Sequence, residues 1–212
     1  VKGGKRLPKG TDYSATVTPY IYIRVTDLKN GTIQNHGLKY IDAEVQSQIS
    51  RYTIEHDDLY VTIAGTIGEV GEVPEKFDRM NLTENAAKIV FRKIDKSFLA
   101  LCLRSGYVQS QFFDKVNTMA QPKLALKRIA TSVIALPPLA EQRRIVSKVE
   151  GLMSLCETLE SHRRARESVR ERTSRSVLGR LTSAPRRASS SVEPTEFSAA
   201  VIAALDATSA GV

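Results

Sequence analysis

Short apolar runs broken by Gly, Asn and Asp fill the first two-thirds of the chain, and a helical period takes over after residue 138. The run Tyr20–Val25 (YIYIRV) is aromatic and β-branched, which predicts a strand, and Asn30-Gly31 beyond it is a turn signal. In that run Tyr20, Tyr22 and Arg24 alternate with Ile21, Ile23 and Val25, which predicts one buried face and one face bearing aromatics and a cation. Leu59–Ala64 (LYVTIA) is a second strand closed by Gly65, and Val70–Val73 is placed to pair with it as a hairpin. Ala87–Arg92 (AKIVFR) and Ile129–Ala135 are two further predicted strands. Between them the period changes. Phe98, Leu99, Cys102 and Leu103, then Val108, Phe112 and Phe113 after Gly106, predict one or two helices within Lys96–Phe113.

Pro137 and Pro138 end the strand pattern, because a proline cannot donate to a ladder yet fits the first turn of a helix. Glu141 then falls where a carboxylate suits the positive end of the helix dipole. Ile145, Val149, Leu152, Cys156 and Leu159 follow at spacings of 4, 3, 4 and 3, the seam of a coiled coil, with charged flanks. The plain alternative is an amphipathic helix packed on its own domain. Beyond Leu159 the same phase brings Arg163, Arg166 and Arg170 to core positions, so the apolar contact is expected over Ile145–Leu159. A continuous helix from Leu139 to Arg175 would span on the order of 55 Å. Gly151 inside it costs roughly 1 kcal/mol relative to Ala, and Gly179 is a place where two helices could join. Past Pro185 the composition turns to Arg, Ser and Ala and reads as linker, with a short helix conceivable over Phe197–Leu205. The expected fold is therefore α/β (α+β): a globular domain of short twisted strands over 1–135, a long coiled-coil-forming helical region over 136–184, and a low-complexity tail over 185–212.

Composition narrows the function. With 42% hydrophobic residues, six Phe and seven Tyr, the 212-residue chain can build a core. Its net charge of +8 points to a polyanionic partner. Between Leu139 and Arg187 there are 12 Lys or Arg against 6 Asp or Glu, so most of the surplus lies in the helical region. Cys102 and Cys156 match no metal spacing and are expected as free thiols, as in a reducing cytosol. No stretch approaches a membrane span, and a cytoplasmic protein is expected. The chain opens on Val directly into a basic turn, which leads us to expect a piece of a longer protein whose first strand is missing, or a natural half-length form.

No catalytic constellation emerges. His36, His56 and His162 have neither the spacing of a metal site nor a nucleophile alongside. The only tight acidic pair, Asp57-Asp58, precedes a strand where a polar turn belongs. Gly65–Gly71 has the wrong spacing for a phosphate loop, and Glu69 and Glu72 would repel a phosphate. The chain is expected to catalyse nothing by itself and to bind no cofactor or metal. What remains suits recognition. Lys2, Lys5, Arg6 and Lys9 share a Gly- and Pro-punctuated loop with Thr11, able to follow a phosphate backbone. Gln121, Lys123, Lys127 and Arg128 form a second basic-polar run whose side-chain types read base edges. Arg24 joins them as the cation on the aromatic strand. The plain alternatives are a solvated terminus and a solvated loop. Asn81, Thr83, Glu84 and Asn85 are expected to hold a turn through their side chains.

Several of these segments, in order, carry a resemblance. KGGKRLPKG (2–10), YIYIRVTDLKNGTI (20–33), DLYVTIAGTIGEVGEVP (58–74), NLTENAAKI (81–89), the PPLAEQRRIV…SLCETLE run (137–160) and RERTSRSVLGRLTSAP (170–185) resemble the specificity subunit of type I restriction–modification enzymes. The resemblance implies a target recognition domain over 1–135 and a conserved spacer and dimerisation helix after it. It implies that the chain reads one half of a bipartite site in double-stranded DNA. The implied partners are modification (methyltransferase) subunits, a restriction (translocase and nuclease) subunit, and either a second copy of the chain or the other half of the subunit. S-adenosylmethionine, ATP and Mg would be bound by those partners. Two alternatives stay open on the residues alone: a coiled-coil adaptor that binds protein without DNA specificity, and the recognition part of a fused restriction–modification enzyme.

Overall fold

The computed structural model describes residues 1–113 and 123–183. Strands β1 (Lys2–Gly3), β2 (Ile21–Ile23), β3 (Leu28–Lys29), β4 (Thr32–Ile33) and β5 (Lys39–Tyr40) precede helix α1 (Ala43–Gln48). Strands β6 (Thr53–Ile54), β7 (Leu59–Thr62), β8 (Val70–Glu72), β9 (Met80–Leu82) and β10 (Ala86–Ile89) follow. Helices α2 (Lys96–Arg104), α3 (Gly106–Phe113), α4 (Leu126–Ala130) and α5 (Leu139–Ser183) complete the described chain. The expected mixed architecture, short strands and then a long helix, is what the chain adopts. It divides into two units, residues 1–154 and the chain from Leu155 onward.

Strand β7 organises the first unit. All four of its residues are buried, Thr62 included, so the strand is covered on both faces. It lies between β10 and β8 in a sheet ordered β1-β10-β7-β8. Leu59 and Val61 enter a core closed by Leu99, Leu103, Val108 and Phe112 of α2 and α3, whereas Tyr60 enters a second core with Ile23, Leu28, Phe77 and Leu82. The expected β7–β8 hairpin forms with antiparallel register Tyr60↔Gly71. Gly71 is needed there, because a Cβ would stand 2.2 Å from the Tyr60 hydroxyl. That hydroxyl donates to the Thr32 carbonyl at 2.9 Å. Asn30 and Gly31, with φ of 56° and 72°, close the β3–β4 hairpin as the mirror-image turn that Asn-Gly favours.

A second sheet runs β5-β2-β9-β6, with β2 and β9 parallel and the other pairs antiparallel. Both faces of β2 are covered. Ile23 enters the second core, and Tyr22 packs with Ile41, Val45 and Ile49 in a third. The face expected to bear the aromatics and a cation does carry Tyr22, and α1 covers that side too, so Tyr22 is buried and the strand is covered on both faces. Asp95 caps α2 by accepting from the Phe98 amide at 3.1 Å. Lys88 meets buried Asp58 at 3.0 Å, so the Asp57-Asp58 turn is tied to β10.

Ile129–Ala135 does not form a strand. Leu126 and Ile129, three residues apart, turn one face of α4 onto the first core, and the chain beyond runs without ladder partners. The β-branched composition of the run invited the strand reading, yet the Thr131 and Ser132 amides donate back to the Lys127 and Ile129 carbonyls, at 2.9 and 3.3 Å, so the backbone turns there instead of extending. Helix α5 starts where the double proline predicts: the Glu141 and Gln142 amides both donate to the Pro138 carbonyl, at 2.9 and 3.1 Å. It continues through Gly151 and Gly179 as one helix. Gln142, 2% exposed, is buried at its base. Its Oε1 accepts from the Asp95 amide and its Nε2 donates to the Pro137 carbonyl, both at 2.8 Å. The tail over 185–212, including the conceivable helix over 197–205, lies outside the described residues.

Candidate nucleic-acid interface

The N-terminal segment reaches its position by backbone bonds. The Gly4 amide donates to the Ala86 carbonyl at 3.0 Å and the Lys5 amide to the Leu82 carbonyl at 2.9 Å. At Gly4 a Cβ would lie 2.1 Å from the Thr83 carbonyl oxygen, so only glycine lets the two backbones approach this closely. Lys5 and Arg6 are thereby delivered to the turn that joins β9 and β10.

Glu84 occupies that turn and gathers side chains from distant parts of the chain. Arg6 Nε donates to its Oε1 at 2.7 Å, and the Thr83 hydroxyl donates to its Oε2 at 3.1 Å. The Tyr22 hydroxyl lies 3.4 Å from Oε2 and gives its better bond, 2.8 Å, to the Lys5 carbonyl. Lys123 Nζ reaches the Glu84 backbone carbonyl at 3.4 Å. Aromatic rings surround this point. Tyr13 lies 5.9 Å from Tyr22, Lys39 sits 5.7 Å over the Tyr13 ring, and Lys5 sits 5.7 Å over the Tyr52 ring. Lys123 of the second basic run thus meets Lys5 and Arg6 of the first, with three tyrosines alongside.

The electrostatics follow from these contacts. Burial pushes the Glu84 carboxyl up, but hydrogen bonds from Arg6, the backbone and Thr83 outweigh it and leave the group below the usual carboxylate range. Its hydrogen bond to Glu84 raises the Arg6 guanidinium in turn. Burial, aided by the nearby Glu84 charge, pushes the Tyr22 phenol up to about 12. Tyr13 is raised too, chiefly by burial. A face of this kind offers cations to phosphates and an ionised acceptor to a donor.

The remaining sequence candidates are placed differently. Lys9 is exposed at the tip of a turn in which the Thr11 amide and hydroxyl both donate to the Pro8 carbonyl, at 3.2 and 2.8 Å. Arg24 is half-buried and bonds Asp27 through Nε and a terminal nitrogen, at 3.1 and 2.7 Å, with a further bond to the Gly37 carbonyl. It holds the loop after β2 instead of reaching outward. Lys127 is exposed on α4, while Arg128 donates to the Phe112 carbonyl at 3.1 Å and ties α4 to α3. Gln121 lies outside the described residues. Sequence reasoning missed Tyr13, Lys39 and Tyr52, and read Glu84 as a turn residue; no local spacing connects them. Among the described residues no cluster of three His, Cys, Asp or Glu could hold a metal ion, and no helix is long and apolar enough to cross a membrane.

On the helix, Ile145 and Val149 are half-buried in the first unit, and Leu152 is 51% exposed. In the second unit Cys156 is exposed and Leu159 is 59% exposed. Among the described residues nothing covers this apolar stripe, which is flanked by Arg144–Glu141 and Arg164–Glu160 pairs.

Comparison with known proteins agrees in sequence and in fold. The chain is 31% identical over 140 residues to the EcoBI type I restriction enzyme specificity subunit of Escherichia coli, an alignment covering 65% of this chain and 29% of that protein. The EcoKI specificity subunit of Escherichia coli strain K12 is 22% identical over 153 residues, covering 65% and 31%. The chain therefore spans about a third of the length of these curated relatives. Among solved structures, the HsdS subunit from Thermoanaerobacter tengcongensis superposes with a TM-score of 0.58 at 21% identity, over 82% of this chain and 45% of that one. A second, from work on complex assembly and conformational transition of the type I R-M system, gives 0.56 at 21% identity with the same coverage. The type I restriction modification DNA specificity domain matches residues 1–166, and the chain belongs to that family.

Proposed function

We propose that residues 1–135 recognise one half of a bipartite site in double-stranded DNA, and that the helical region over 136–184 docks on another long helix, with 185–212 as a tail. The helix partner is a second copy of the chain or the other half of the subunit. Modification subunits dock on the assembly and supply S-adenosylmethionine, and a restriction subunit supplies ATP- and Mg-dependent translocation and cleavage. The chain itself transfers no methyl group, and its place is the cytoplasm. One observation carries the DNA reading: Lys5, Arg6 and Lys123, far apart in sequence, converge with Lys39 and three tyrosines around one turn. Cations for phosphates beside polar and aromatic groups for bases are what sequence-specific binding requires.

The experiment is a domain transplant. Residues 1–135 replace the corresponding domain in another specificity subunit, which is assembled with modification subunits, and the methylated sites are mapped. One half of the site should change to a new sequence. A transplanted domain that left the methylated sequence unchanged would defeat the proposal, above all if exchanging the helix altered it.

A further inference from the structure

A carboxylate stands at the centre of the cationic face, where a surface that only followed phosphates would exclude one. Glu84 is nevertheless held ionised and in place by Arg6 on one oxygen and Thr83 on the other. An ionised carboxylate offers about four acceptor directions. Arg6, Thr83 and the backbone amide take three of them. Tyr22 adds little, since its single proton goes to the Lys5 carbonyl at 2.8 Å and its contact with Glu84 is 3.4 Å. The Glu84 side chain is 23% exposed, so it is not sealed off from a ligand. Arg6, by contrast, is 79% exposed and free to turn about its long stem.

Bases differ in what they show such a group. In the major groove cytosine presents its N4 amine and adenine its N6 amine, both donors, whereas guanine N7 and O6 and thymine O4 are acceptors that a carboxylate repels. We infer that Glu84 is a specificity-determining residue that accepts a hydrogen bond from the exocyclic amine of an adenine or cytosine, while Arg6 leaves it for a neighbouring phosphate. The exchange keeps charge balanced: the Arg6–Glu84 pair satisfies both groups in the free protein, and DNA supplies an anion to one and a donor to the other. The ion pair is exposed on the Arg6 side, so opening it costs little. Thr83 stays bonded to Oε2 throughout and keeps the carboxylate from rotating away. This rests on the reading of residues 1–135 as the DNA-recognising part.

The test uses the full chain assembled with modification subunits and a duplex library randomised across the half-site, with bound sequences read out for the parent, Glu84→Gln, Glu84→Ala and Arg6→Ala. The parent should show one position restricted to adenine or cytosine. Glu84→Ala should relax that position by roughly 5- to 150-fold, the discrimination one good base contact provides. Glu84→Gln separates the two bases, because an amide pairs bidentately with adenine: preference that survives marks adenine, and preference that collapses marks cytosine. Should Glu84→Ala fold poorly, which a melting curve reports, Glu84→Met, of similar length but without an acceptor oxygen, takes its place. Arg6→Ala should weaken binding to all sequences alike and lower the salt slope by about one ion. Unchanged base preferences at every position in both Glu84 variants, with sequence-specific binding intact, would overturn the inference. A parent assembly that bound every duplex equally would overturn the DNA reading itself, and the inference with it.

Discussion

At the scale of single residues, two positions are set by contacts that sequence does not display. Gly71 faces Tyr60 across β7 and β8, with no room for a methyl group and the Gly31 backbone 2.5 Å from where a Cβ would sit. Gly71→Ala should therefore destabilise the domain by about 1–3 kcal/mol, the cost of overpacking a filled core, read as a lowered denaturant midpoint. An unchanged midpoint would mean that β8 shifts at no cost. Tyr22 makes a pH prediction. Its phenol is raised from an ordinary value of 10.0 to about 12, so folding favours the neutral form. The stability this contributes is complete below pH 10.0 and is lost as pH rises toward about 12. Tyr22→Phe removes the titration, so the gap in unfolding midpoint between parent and variant should narrow across that window. Glu84 has the opposite sign: its carboxyl is lowered, so its contribution is present above the usual carboxylate range and fades as pH falls through the folded value.

At the scale of elements, the helix has an apolar stripe that no other described residue covers. Leu152, Met153, Leu155 and Leu159 are each more than half exposed, and Ile145 and Val149 lie half-buried on the same element. A buried side chain of this size is worth roughly 1.5–3 kcal/mol. Replacing Val149 and Leu152 together by Asp should therefore abolish helix-to-helix association. Sedimentation should show the assembly lose mass. Unchanged mass together with an unchanged melting curve would leave this helix as an exposed spoke.

At the scale of the whole molecule, charge and chemistry separate along the chain. Nine arginines lie between Arg163 and Arg187 with few amide side chains, so that region offers charge without a base-reading code. Replacing Arg163, Arg164 and Arg166 by Ala should weaken assembly, or weaken DNA binding equally for all sequences, whereas Lys5→Ala and Lys123→Ala should cost most at the cognate half-site. Competition binding on cognate and scrambled duplexes distinguishes these outcomes. What could be read from sequence divides along the same line of locality. The Asn30-Gly31 turn, the β7–β8 hairpin, the two helices after Lys96 and the helix start at Pro138 each follow from neighbouring residues. The β5-β2-β9-β6 sheet does not, because strands of two or three residues carry no period and the β2–β9 pairing is parallel across nearly sixty residues. The candidate site was legible only as two separate basic runs. Arg6 and Glu84 are 78 positions apart, and nothing local announces that they meet.

The seat of the long helix has one further consequence. Gln142 is buried and spends both ends of its amide on main-chain groups, the Asp95 N–H and the Pro137 carbonyl. Every residue except proline carries that N–H, and every residue carries that carbonyl, so the socket is blind to the side chains around it. Another globular domain could accept the same helix by presenting one amide hydrogen and one carbonyl oxygen in the same places. Glutamine itself is not interchangeable: leucine would strand both main-chain groups, and glutamate would lose the donor. A joint built this way lets the surface that meets a ligand diversify freely while the coupling beneath it stays constant.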